Sequence, residues 1–135
     1  MLRCYCENIL ERFHTLKYCS RRLKLLLDTL NLWLYRKHFQ TDSTGQLELC
    51  VMDRSSELRQ PLSLDKLSSG EQQLVYLLGL LIFDTQPKQL VFLDEPELSL
   101  HPAWQDDFHP LLQQTCDLNS CYLLLATHSP SLVGD

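Results

Sequence analysis

Three short stretches of this 135-residue chain hold side chains whose types and spacing fit phosphate chemistry: "LSSGE" (67–71), "LVFLDEP" (90–96) and "ATHSP" (126–130). In the second, four apolar residues run straight into Asp94 and Glu95. Two adjacent carboxylates at the edge of a core repel each other and lose hydration, so a divalent cation is the natural compensating charge. Asp94, closing a strand, can hold Mg²⁺ through a coordinated water. Glu95, one residue on, points elsewhere and can polarise an attacking water. In "LSSGE", Ser68 and the backbone N–H groups of Ser69 and Gly70 stand at the start of a predicted helix, which is a ready anion site. Gly70 allows close backbone approach, and Glu71 suits a first helical turn. Each stretch also has a plainer reading. Ser68 can be only an N-cap, the acidic pair a chance strand end, and His128 a satisfied polar side chain.

These residues need a frame. "LVFL" (90–93) and "CYLLLA" (121–126) read as short, fully apolar strands of a buried parallel sheet. Between them, Pro102 opens a helix, "PAWQDDFHPLLQQT", that Pro110 should kink or split. Strand, helix and strand in this order predict a crossover and parallel pairing. The segment "EQQLVYLLGLLIF" (71–83) is apolar around its whole circumference and predicts a helix buried on most sides. Residues 47–53 and 54–64 read as two short strands, with Pro61 near an edge. Residues 7–39 contain no Gly or Pro, and their leucines recur at three- and four-residue steps. That predicts amphipathic helix up to the turn cluster 41–46, with a break near Tyr18–Arg21.

Bulk composition, 44% hydrophobic and 21% charged, is that of a globular domain. No apolar run reaches bilayer length and no export signal is visible, so the chain reads as cytoplasmic, without a membrane partner. Its six cysteines lack zinc-type spacing and read as free thiols. The net charge of −5 hides an asymmetry. Residues 1–40 carry eight Lys/Arg against three acids, +5, and the remainder stands at −10. A basic arm on an acidic body is either a nucleic-acid footprint or a solvated helix face.

In this order and on these elements the three stretches resemble the C-terminal half of an ABC-type ATPase head. "LSSGE" resembles its signature motif, "LVFLDEP" its Walker B, "LSLH" (98–101) its D-loop and "THSP" its switch histidine. The run "DEPELSLHPAWQ" is closest to the SMC-like and OLD-like branch, which includes DNA-repair and anti-phage-defence ATPases. The resemblance covers about residues 23–135 and is strong over 67–130. It implies an α/β, partial P-loop NTPase fold with parallel strands flanked by helices. Residues 1–40 would be a helical segment, the end of an inserted arm, and 41–135 the C-terminal part of the ATPase domain.

The resemblance also implies ATP and Mg²⁺ as cofactors, Glu95 and His128 as catalytic residues and Asp94 as the metal residue. Ser68, Ser69, Gly70, Glu71, Ser99 and His101 would bind nucleotide across a dimer. Here Ser69 replaces the family's usual first glycine, Glu71 stands where many relatives carry Gln, and His101 departs from the Asp of transporters. No G-x-x-x-x-G-K-S/T occurs among the four glycines. The expected partner is therefore a Walker A-bearing N-terminal half or a complete ATPase chain. The full protein would be a homodimer acting with DNA and a nuclease, and the chain by itself should be inactive. The alternatives are a catalytically incomplete module that offers only its signature surface, and a nucleic-acid adaptor acting through residues 1–40.

Overall fold

The computed structural model describes residues 2–52 and 59–129, except the side chains of 2–9, Arg59 and Ser99. Helix α1 (Leu2–Trp33) runs without the expected break at Tyr18–Arg21. Its apolar residues Leu10, Phe13 and Leu16 are exposed, whereas Leu26, Leu30 and Trp33 are buried in the core. The predicted helix to residue 39 is corrected, because α1 stops at Trp33 and Lys37–Thr41 form strand β1. Residues 37–40, expected in the helical segment, therefore belong to a sheet. The reversal turns on Arg36, a non-glycine at φ 60°, and on Asn31. The Asn31 side chain accepts from Phe39 N–H at 2.6 Å and donates to Phe39 C=O at 2.9 Å. It satisfies both backbone groups of Phe39, whose side chain is 2% exposed.

Strand β1 pairs antiparallel with β2 (Leu47–Met52), which pairs with β3 (Arg59–Pro61). Pro61 lies on the edge strand, as its missing N–H requires. Residues 53–58 of the two predicted strands lie outside the described residues. The β1–β2 turn closes on Asp42, which accepts from the N–H groups of Thr44 and Gln46, both at 2.8 Å.

Helix α2 (Ser69–Gly79) passes into a π-helical turn, Leu80–Asp84. It buries Leu74, Leu78, Leu81 and Ile82 but leaves Tyr76, Leu80 and Phe83 exposed, so the expected burial on most sides holds for one face only. Strand β4 (Leu90–Asp94) and strand β5 (Tyr122–Ala126) pair in parallel, Leu90 opposite Tyr122 and Asp94 opposite Ala126. Between them α3 (Pro102–Asn119) is continuous through Pro110, which neither splits nor ends it. The two strands are not fully buried. Val91, Leu93, Leu123 and Leu125 pack against the core, while Leu90, Phe92, Tyr122 and Leu124 face solvent. The chain is α/β, as a partial P-loop NTPase fold requires. Among the described residues the four cysteines Cys19, Cys50, Cys116 and Cys121 are free thiols.

Two side-chain clusters fix α1 to this body. The Trp33 and Trp104 rings stack at 6.0 Å, and Trp104 Nε1–H donates to Trp33 C=O at 3.1 Å. One turn and more away, Arg22 donates through Nε to Asn119 Oδ1 at 2.9 Å and through its terminal nitrogens to the carbonyls of Thr85 (3.0 Å) and Phe83 (3.3 Å). Asn119, 1% exposed, donates in turn to the carbonyls of Leu81 and Ile82. Arg22 is thus a structural residue, although its charge counted toward the basic arm. Lys37 faces Glu71 at 2.6 Å, which takes one charge off the +5, while the Lys24–Asp28 pair at 3.0 Å already lies within that sum. Arg22→Leu should lower the unfolding free energy by about 1–3 kcal/mol, because it strands the buried acceptors that Arg22 serves. Arg21→Leu, at an exposed position, should stay within about 0.5 kcal/mol of the parent. Urea denaturation measures both, and equal losses would contradict this account of Arg22.

Candidate functional site

Parallel pairing brings the ends of β4 and β5 side by side. Asp94 is the last residue of β4 and is exposed. Glu95 follows at φ 42°, ψ 48°, a left-handed conformation that costs a non-glycine residue roughly 1–3 kcal/mol. Its N–H donates to Ala126 C=O at 2.7 Å, which extends the ladder one step past the strand. Pro96 then opens a short 3-10 turn, Pro96–Ser99. The kink re-aims the chain, and Glu95 Oε1 comes to lie 3.0 Å from His128 Nε2. The Glu95 side chain is 32% exposed and that of His128 is 92% exposed. The pair is an ion pair whenever the imidazole is protonated, and the histidine ring is open to a ligand.

Beneath this pair lies a residue that the sequence reading passed over. Glu97 is 4% exposed, and its Oε1 accepts a hydrogen bond from Thr127 Oγ1. Burial opposes its charge. The Thr127 hydroxyl and the backbone N–H groups of Glu97, Ser129 and His128 outweigh that cost and hold its carboxyl below the ordinary range. Oε2 has no hydrogen bond of good geometry among the described residues. The signal in the sequence was a third carboxylate directly after Pro96, two residues past the Asp94–Glu95 pair.

Helix α2 begins with a complete capping box. Ser68 Oγ accepts from Glu71 N–H at 3.3 Å, and Ser68 N–H donates to Glu71 Oε2 at 2.7 Å. Lys37 Nζ donates to both carboxylate oxygens of Glu71, at 2.6 and 2.7 Å. Ser69 and Gly70 occupy the first turn. Ser68 Oγ is the acceptor in the cap, and its hydroxyl also hydrogen-bonds the Glu71 carboxylate. The turn Pro96–Ser99 packs against α2. Among the described residues, however, no hydrogen bond joins the Ser68–Glu71 cap to Asp94, Glu95 or His128. His101 caps α3 through Nδ1, which accepts from Ala103 N–H at 3.2 Å, and its ring lies 5.7 Å from that of Trp104. Ser99 ends the 3-10 turn, and its side chain lies outside the described residues.

Asp94 makes no side-chain hydrogen bond or ion pair among the described residues, so its carboxylate is available to a cation. No group of three or more His, Cys, Asp or Glu among them could hold a metal by itself. A cation beside Asp94 would take its other ligands from water and phosphate, which suits Mg²⁺ bound with a nucleotide.

Sequence comparison gives the family. A family described as "AAA domain, putative AbiEii toxin, Type IV TA system" matches residues 9–134. The chain belongs to this family. It is therefore an AAA domain. Over 70 residues the chain is also 34% identical to Protein ea59 of Escherichia phage lambda. That stretch is 52% of this chain and 13% of the phage protein, so the chain spans a small part of that relative's length. No helix among the described residues is long and apolar enough to cross a membrane.

The cap carries a pH signature. Burial raises the Glu71 carboxyl, but Lys37 and the Ser68 N–H and hydroxyl lower it by more, so its folded value lies below the ordinary 4.5. The stabilisation is complete above the unfolded value and disappears as pH falls through the lower folded value. The stability difference between the parent and Glu71→Gln should therefore be largest above about pH 4.5 and shrink in more acid solution. Chemical denaturation at a series of pH values measures it, and a difference that grows on acidification would contradict the sign.

Proposed function

We propose that this chain supplies the hydrolytic edge of an ATPase head whose phosphate-binding loop comes from another stretch of polypeptide. The contact of Glu95 with His128 at the shared end of two parallel strands carries this reading. In it Glu95 takes the proton of the attacking water. His128, open to solvent on its other side, meets the γ-phosphate. Asp94 would hold Mg²⁺ through water, and the ion would supply charge neutralisation to the phosphates. Ser68 and the N–H groups of Ser69 and Gly70 offer a helix N-terminus to the γ-phosphate of a nucleotide held by a second head. Ser99 and His101 border that junction. The active form is then a homodimer closed around ATP.

The uncovered side of the sheet supports an incomplete head. A parallel sheet is normally covered on both faces. Among the described residues β4 and β5 are paired only with each other, and Leu90, Phe92, Tyr122 and Leu124 lie bare on one face. A Walker A-bearing half adding strands and a covering helix satisfies both the open edges and that face.

For the setting, our reading is a role in conflict between phage and host, in the SMC/OLD-like branch. It is supported by a family description that names a toxin of a type IV TA system and by a relative that is a phage protein. DNA and a nuclease are the partners that branch suggests. Since Arg22, Lys24 and Lys37 are engaged within the protein, a contact with the phosphate backbone falls to Arg12, Lys17 and Arg21, all exposed.

A second reading has its own support in the complete cap at Ser68 and the missing phosphate loop. In that reading the chain is a non-hydrolysing module that presents only its signature surface to a complete ATPase. The two readings separate at Glu95. In the enzyme assembled with its phosphate-loop half, Glu95→Gln should cut ATP turnover about 10²–10⁴-fold while ATP binding persists. Unchanged turnover would remove Glu95 as the base and favour the module.

A further inference from the structure

We infer that Glu97 is a positioning residue, which sets the contact between His128 and Glu95 by holding the hydroxyl of Thr127. The inference rests on the reading of Glu95 and His128 as the working pair and adds the group that places them.

The geometry is that of a two-rung ladder. Glu95 and Glu97 lie on one turn, and Thr127 and His128 lie on the chain leaving the neighbouring strand. The outer rung is Glu95 with His128, at 3.0 Å and solvent-accessible. The inner rung is the buried Glu97 with the half-buried Thr127. Thr127 Oγ1 does two things at once. It donates to Glu97 and accepts from Ser129 N–H at 2.9 Å. The backbone on both sides of His128 is thereby tied to one carboxylate. Glu97 is itself held from behind, since its C=O accepts from Leu100 N–H at 3.0 Å.

A carboxylate this deep is costly unless something compensates it. Among the described residues no Lys, Arg or His forms an ion pair with Glu97. Its compensation comes from the segment that carries His128. A residue needed only to fill the space would be apolar, as the buried Leu100 near it is. Burial also keeps Glu97 from touching the nucleotide, so it acts through Thr127 and not on the substrate.

Four variants test this. Glu97→Ala and Thr127→Val break the inner rung, whereas Glu97→Gln and Thr127→Ser keep an acceptor and a hydroxyl in place. In NMR spectra of the folded 135-residue chain, the first two should shift the His128 ring signals in the same way and speed exchange of the Ser129 amide. The second two should stay near the parent. In the enzyme assembled with its phosphate-loop half, Glu97→Ala should lower kcat by about 10²-fold with KM for ATP nearly unchanged, since a small misplacement of aligned groups costs that much. Combining Glu97→Ala with Thr127→Val should cost no more than either alone. His128 and Ser129 signals that ignore Glu97→Ala, or additive losses in the double variant, would overturn the inference. If Glu97→Ala fails to fold, Thr127→Val carries the same test, and parent-like His128 signals there would overturn it equally. An assembled parent without ATP turnover would refute the ATPase reading, while the NMR arm would still decide whether Glu97 places His128.

Discussion

The parallel pairing of β4 with β5 is the constraint on which the rest of this structure depends. It aligns two strand ends from segments about thirty residues apart and carries the ladder one residue further, through Glu95 N–H and Ala126 C=O. Everything with chemical promise follows from that alignment. Asp94 ends one strand, and the left-handed step at Glu95 turns its carboxylate onto His128, which leaves the other. The two adjacent carboxylates do not have to share one environment. Asp94 stays in water, and Glu95 has a histidine beside it.

What holds this edge in place is distributed. The α3 crossover returns the chain to β5 and buries Phe108, Leu111 and Leu112 beneath the sheet. Trp104, at the start of α3, stacks on Trp33 at the end of α1, and Asn119, at the other end of α3, receives Arg22. Helix α1 is thus clamped to both ends of the crossover helix. Lys37, just past α1, reaches the first turn of α2 through Glu71. Any movement of α1 relative to the body must work against these polar contacts, and they connect α1 to the start of α2 as well as to the crossover helix.

Much of the site was legible because the relevant signals are local. Ser68 followed three residues later by Glu71 is a capping box in sequence and in space. Pro102 marks the start of α3, and an apolar run into Asp94 marks a strand end. Other features depend on partners far along the chain. The end of α1 has neither Gly nor Pro, because it is set by Asn31 reaching Phe39 and by Arg36 accepting a left-handed conformation. Counting charges placed Arg22 on a solvated or nucleic-acid-binding face, but its acceptors lie some sixty and ninety-seven residues away. Uniformly apolar strands suggested burial on both faces, yet periodicity cannot say whether a covering layer exists. Glu97 was not legible because a glutamate in a turn normally faces water, and only the fold brings Thr127 over it.

The central claim is that the hydrolytic edge is present here and the phosphate-cradling loop is not. The most direct measurement is Mg²⁺-dependent phosphate release from ATP by the pure 135-residue chain, alone and after addition of a polypeptide carrying the phosphate loop. The account predicts background rates for the chain alone and multiple turnovers for the combination. Sustained turnover by the chain alone would contradict it.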